Sequence, residues 1–187
     1  MGNKKQILKL KGKAAVFIDW ANVYGWKKSL KYEVDYKSLF KYFNSLPEVA
    51  DIRLYYGTDK NIHSRKFLED ARKLGFKVIT KPVKYVLVGQ IDGQKLFKRK
   101  CDFDLEIGLD CFLKLDVYQT FVFLSGDGDF ATLYERLIKE NKQIIVVYTS
   151  GHIGREIWEI KKGLFKVQLD QLGVFKKSSR AHRPGRD

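Results

Sequence analysis

Apolar and polar residues change rhythm along this chain in ways that separate strands from helices. Ala14-Ala15-Val16-Phe17-Ile18 is a continuous apolar run, short enough to be a strand buried on both faces. Residues 35–45 follow a helical period, with Tyr36, Leu39, Phe40 and Phe43 on one side. The segment 51–57 alternates instead, putting Ile52, Leu54 and Tyr56 on one face of a second strand. A helix over 62–74 stops at Gly75, where the left-handed turn that closes a helix is easiest for glycine. Residues 76–80 supply a third strand.

The rhythm then breaks. Residues 83–100 have strand composition on both sides of Ile91-Asp92-Gly93-Gln94, and Asp-Gly is a strong signal for a tight hairpin turn. An inserted β-hairpin is the reading. Beyond it come a helix over 103–115, a strand over 120–124, a helix over 130–141, a strand over 144–148, a short helix over 153–161 and a last strand over 165–169. Such β–α alternation predicts an α/β fold, a mostly parallel central sheet with helices on both faces. Residues 13–173 form the expected domain, between a basic flexible segment (1–12) and a basic disordered tail (174–187).

Charge adds a partner to this picture. The formal net charge is +14, and nine of those fourteen charges lie in residues 1–13 and 174–187. An excess of this kind points to an anionic partner, either nucleic acid or an anionic membrane surface. Cys101 and Cys111 have no metal-ligand spacing and read as reduced thiols. No apolar run approaches the roughly 18 residues of a membrane helix, and the N-terminus lacks the apolar stretch of a signal peptide. A soluble, cytoplasmic protein is expected.

In open parallel sheets, ligands bind beyond the carboxyl ends of the strands, where strand order reverses. Two apolar strands here run directly into acid. Val16-Phe17-Ile18 is followed by Asp19, with Asn22 three residues on. Phe121-Val122-Phe123-Leu124 is followed by Ser125-Gly126-Asp127-Gly128-Asp129-Phe130, whose glycines let the backbone turn so that both carboxylates aim at one point. A third acid, Asp104, opens the 103–115 helix, whose stripe of Leu105, Leu109, Phe112 and Leu113 is expected to pack on the sheet. Gathered carboxylates repel one another unless a cation lies between them, and all-oxygen ligation suits Mg²⁺ or Mn²⁺. An Asp after a strand is also a common helix N-cap, a role open to Asp127 or Asp129 taken singly. Asp110 falls roughly 240° round the helix from Asp104 and is read as a supporting residue outside the ligand set. His63, His152 and His182 form no evident triad with Ser125, and the usual glycine-rich phosphate cradles are missing.

Three blocks in order carry a family resemblance: Phe17-Ile18-Asp19-Trp20-Ala21-Asn22, then Lys100 to Asp104 continuing to Asp110, then Ser125 to Phe130. The chain resembles the NYN family of PIN-like, LabA-like nuclease domains over about residues 14–150. That resemblance implies a Rossmann-like PIN-type fold and a metal-dependent (endo)ribonuclease that hydrolyses RNA phosphodiester bonds. Asp19, Asp104, Asp127 and Asp129 would be its catalytic, metal-binding acids, supported by Asn22, Ser125 and Asp110. Trp20 stands where the family usually has glycine. With Trp26 it is expected to offer a stacking surface for unpaired bases, whereas Tyr24 is better read as core. Lys27, Lys28 and Lys31, with Lys95, Lys98, Arg99 and Lys100 on the hairpin, would form a basic rim holding single-stranded or structured RNA. The alternative is a non-catalytic RNA-binding or regulatory module of the same fold. Assembly into homo-oligomers stays open.

Overall fold

Alternation along the first strand sets the architecture. The computed structural model describes residues 7–30, 32–91 and 93–177. In chain order its elements are β1 (Ala14–Asp19), α1 (Trp20–Gly25), β2 (Tyr32–Val34), α2 (Tyr36–Asn44), β3 (Val49–Thr58), α3 (Ile62–Leu74), β4 (Lys77–Pro82), β5 (Lys84–Ile91) and β6 (Gln94–Lys100). There follow α4 (Asp104–Phe112), β7 (Thr120–Leu124), α5 (Ala131–Lys139), β8 (Gln143–Tyr148), α6 (Arg155–Glu159), β9 (Leu164–Gln168) and β10 (Phe175–Lys177). Six strands make one sheet in the order β4-β3-β1-β7-β8-β9, and each neighbouring pair is parallel. The chain builds outward from β1 to β4 on one side and then from β7 to β9 on the other. The order therefore reverses between β1 and β7, which opens a crevice at their carboxyl ends.

Val16 and Ile18 face one core, with Leu54, Val122 and Val147 under α1–α3; Ala15 and Phe17 face the other, with Phe121, Phe123 and Val146 under α4–α6. Burial on both faces is why these strands read as unbroken apolar runs. The helix over 62–74 ends at Gly75, whose φ of 109° is left-handed. The hairpin forms too: β5 and β6 pair only with each other.

Three expectations change. The stripe Leu105, Leu109, Phe112 and Leu113 does not pack on the sheet: these side chains are 70%, 54%, 43% and 75% exposed. Phe103, Ile107 and Cys111 are buried in their place. The physical reason is a charge. Arg53 of β3 is buried in this core, and Asp110 must face inward to pair with it, Nη1 to Oδ2 at 2.6 Å. Turning the stripe inward would carry Asp110 away and cost the buried Arg53 one of its two close carboxylates, the other being Asp51.

The structured body is also longer than residues 13–173. Leu8 is buried, and the Lys11 N–H donates to Thr120 Oγ1 (2.9 Å) and Gln143 Oε1 (2.8 Å). Val174 is buried, and β10 pairs antiparallel with β2. The third change lies in residues 20–34, where α1 and β2 are too short for periodicity to announce them. Residues 1–6, 31, 92 and 178–187 lie outside the described residues, and with them Lys31, the turn residue Asp92, half of the basic N-terminal segment and most of the basic tail. Among the described residues, no helix is long and apolar enough to cross a membrane.

Candidate active site

Register delivers the first two acids. Ile18 pairs with Leu124, so Asp19 and Ser125 leave the sheet side by side. Asp19 caps α1: its Oδ1 accepts the N–H groups of Ala21 (3.1 Å) and Asn22 (3.3 Å). The Asn22 side chain reaches across the crevice, its Oδ1 accepting the Gly126 N–H at 3.1 Å. Ser125 is buried and its Oγ accepts the Asp127 N–H at 3.2 Å. Asp127 Oδ1 in turn accepts the Asp129 N–H at 3.1 Å, capping the 3₁₀ turn Gly128–Phe130. Capping and site-building thus fall on the same residues. Each cap uses one carboxylate oxygen, and Oδ2 of Asp19 and of Asp127 meets no protein donor among the described residues.

The glycines of this loop have a different purpose from the one expected. Neither Gly126 nor Gly128 has a positive φ. A Cβ on Gly126 would overlap the carbonyl oxygen of His152, and one on Gly128 would meet the Glu156 carboxylate. The two loops touch backbone to backbone, with the Gly154 N–H donating to Gly126 O at 2.7 Å. Close approach, and not a sharp turn, is what requires glycine here.

The acids sense one another. Burial pushes the Asp19 carboxyl up to about 6; the N–H bonds from Asn22 and Ala21 oppose this rise, and the charges of Asp104 and Asp127 add to it. Asp104 is also raised, by burial first and then by Asp127, Asp102 and Asp129. Lys81, held by Glu106 at 2.7 Å, pulls the other way. The Tyr134 hydroxyl, fully buried and without a hydrogen-bond partner among the described residues, lies within the field of Asp19, Asp127 and Asp104.

Among the described residues, no three His, Cys, Asp or Glu side chains stand close enough to enclose one ion by themselves. The donor set nevertheless fits a hard divalent cation. Its oxygens are carboxylate, Oδ2 of Asp19 and of Asp127 among them without protein donors among the described residues, and the surplus of negative charge is one that a cation would offset. Magnesium in particular keeps several waters and takes one or two carboxylates, with substrate phosphate completing its shell.

The remaining residues expected at the site scatter, and the physical reasons differ. Asp110 does not face the acids: it accepts from Tyr55 Oη (2.6 Å) and Arg53, tying α4 to β3. Trp20 and Trp26 do not offer stacking surfaces, being 7% and 1% exposed. Trp20 turns inward onto Phe67, ring centroids 5.1 Å apart, and away from the crevice. Tyr24, read as core, is 55% exposed with Lys27 Nζ 3.4 Å from its ring centroid. The Lys28 side chain lies outside the described residues. Lys98, Arg99 and Lys100 are exposed on β6, but Arg99 pairs with Asp59 (2.7 Å) and Lys100 with Asp102 (3.2 Å).

Several neighbours were not visible in the sequence. A cavity of about 500 Å³ opens beside Asp127, lined in part by Asn22, Gly126, His152 and Gly154. His152 Nε2 lies 2.6 Å from Ser29 Oγ. Glu156, Lys81 and Tyr134 reach the site from α6, β4 and α5 with no local motif to mark them.

Comparison with known proteins places the chain in a family. The NYN domain family matches residues 13–160, a span that holds all four acids. The low amplitude and bright protein LabA of Synechococcus elongatus is 32% identical over 145 residues, covering 76% of this chain and 77% of LabA. A solved structure of a protein of unknown function from Vibrio parahaemolyticus shares the fold, with a TM-score of 0.68 at 23% identity over 91% of this chain and 100% of its own. With the motif blocks, the crevice and the family match all falling on the same residues, this chain belongs to the NYN domain family.

Proposed function

We propose that this protein is a metal-dependent ribonuclease whose Asp19, Asp104, Asp127 and Asp129 hold Mg²⁺ or Mn²⁺ and cut RNA phosphodiester bonds. NYN domains are PIN-like and generally ribonucleases that use divalent metals, which gives the class. The observation that carries the reading is the convergence at the β1/β7 crevice, where burial and neighbouring carboxylates lift Asp19 to about 6. A group of acids that repels itself at neutral pH is a site waiting for positive charge.

Bound metal would supply charge neutralisation at the phosphate and a water of lowered pKa. The protein's part is positioning. Asn22 fixes the Ser125–Asp129 loop against α1, and Ser125 holds the Asp127 backbone, so the free Oδ2 atoms of Asp19 and Asp127 keep their relation. Asp104, from α4, lies near enough for its charge to raise the Asp19 carboxyl. Asn22, Gly126 and His152 line the cavity next to Asp127, which gives the RNA a place to lie. We place the protein in the cytoplasm, with RNA as its partner.

Purified protein with labelled RNA should cleave only with Mg²⁺ or Mn²⁺. Asp127→Asn should reduce the rate at least about 100-fold, the scale of losing one transition-state contact, with the thermal melt unchanged. Full cleavage by that variant, or in excess EDTA, would overturn the assignment. The open spacing of the acids favours one rival, an RNA-binding domain without turnover. Tight RNA binding with no cleavage under any divalent metal would establish it.

A further inference from the structure

The hairpin is the part of the fold that the active site leaves unexplained. Two strands on their own are marginal in water, and this pair turns both faces to solvent along its whole length. Tyr85, Leu87 and Phe97 are 59%, 53% and 56% exposed. Cross-strand partners share a face, as do residues two apart. The pairs Tyr85↔Arg99 and Leu87↔Phe97 therefore set these three side chains on one face, with Arg99. Lys95 lies on that face as well, two residues from Phe97. The opposite face carries Lys84, Lys98 and Lys100. β5 and β6 contain no acid at all. Among the described residues, neither Tyr85 nor Phe97 has an aromatic partner.

The base of the hairpin is fixed beside the acids. Arg99 pairs with Asp59, just past the end of β3; Lys100 pairs with Asp102; and the chain passes from β6 through Asp102 to Asp104. The Val83 N–H donates to Thr58 O at 2.9 Å, holding the other leg. The ribbon therefore projects from the rim of the carboxylate site in a set direction. Its reach is about 25 Å for strands of this length.

What lies on it must be anionic and must offer flat apolar faces. A second copy of this chain would bring the same acid-free strands with their excess of cations, and the lysine-rich edge of β6 resists strand addition, although β5 has Lys84 as its one cation. An unpaired polynucleotide has both properties: a phosphate line for the lysines and a base face for each ring. A duplex hides its bases in the stack and offers phosphate alone.

We propose that the β5–β6 hairpin is a single-strand arm, on which Tyr85 and Phe97 stack unpaired bases of RNA while Lys95, on the same face, neutralises phosphate and Lys84 and Lys98, on the other face, add to the positive field around the strand. This rests on the ribonuclease reading for the identity of the polynucleotide, and it moves base stacking from the buried Trp20 and Trp26 to the hairpin.

Binding measured in EDTA separates the arm from the catalytic site. Fluorescence anisotropy would compare a labelled oligouridine of about sixteen nucleotides, the upper end of a single-strand site, with an RNA duplex of equal length. Oligouridine should bind more tightly than duplex. The double substitution Tyr85→Ser, Phe97→Ser should weaken oligouridine roughly tenfold or more, with a much smaller loss on duplex. Tyr85→Phe keeps the ring and should retain wild-type affinity, and melting curves verify that all variants fold. The proposal fails if the double variant binds oligouridine like wild type, or if its losses on strand and duplex are equal. It also fails if sedimentation shows a wild-type dimer that the double variant breaks, since a second copy then covers these rings. Absence of cleavage under every metal would sink the ribonuclease reading while leaving this binding result to stand.

Discussion

Asp19 is pulled by two sets of neighbours. Its Oδ1 accepts two backbone N–H groups, which favour the charged form, while burial and the charges of Asp104 and Asp127 favour the neutral one and prevail, at about 6. Below about pH 4, Asp19 is neutral in both the folded and the unfolded chain, and its contribution to stability is whole. Between about pH 4 and 6 the unfolded chain has released the proton and the folded one has not, so stability falls as pH rises. Above about pH 6 the loss is complete, at most about 3 kcal/mol. In chelator, wild type should therefore lose stability relative to Asp19→Asn between about pH 4 and pH 7.5, since Asn still caps α1. Added Mn²⁺ should narrow the gap at the upper end of that range. Urea midpoints across it test the claim, and a constant difference between the two proteins would contradict it. Asp19 and Asp127 were legible in the sequence because each follows an apolar run that ends in a crevice. The fate of Trp20 was not, because the direction of a side chain at the first residue of α1 depends on Phe67, forty-seven positions away.

At the scale of elements, α4 shows how one buried ion can choose a helix face. The helix is apolar on two sides, and pattern alone favoured the side that ended in solvent. Arg53 decides otherwise: it lies between Asp51 (2.8 Å) and Asp110 (2.6 Å), and the Tyr55 and Tyr118 hydroxyls donate to those same two carboxylates. That network joins the helix carrying Asp104 to the strand flanking Asp19. Arg53→Met should leave Asp110 without its cation and Asp51 with the more distant Lys77 (3.8 Å), and destabilise the fold by about 3–5 kcal/mol. Equilibrium urea unfolding measures this, and a loss under about 1 kcal/mol would show the network to be dispensable. The hairpin and the 62–74 helix were readable because their signals are local: a two-residue turn and a terminal glycine. The face of α4 depended on a partner in another strand.

Charge acts at the scale of the whole molecule. With +14 spread over body and ends, association with RNA should fall steeply with salt. If four or five phosphates are neutralised on a single strand, log affinity should drop against log salt with a slope near about −3, roughly fiftyfold between 50 and 200 mM. A slope near zero would mean that the basic surface has no part in binding. The sequence by itself determined the α/β class, the order of the longer strands and helices, the hairpin and the run of acids, because these rest on periodicity and on residues adjacent in the chain. Only the tertiary structure decided which face of α4 is buried, why Gly126 and Gly128 must be glycine, and that Trp20 and Trp26 are core while Tyr85 and Phe97 are open. It also brought Lys81, Tyr134, His152 and Glu156 to the acids. Each of these depends on packing between segments far apart in sequence, and a chain read in order carries no local record of such contacts.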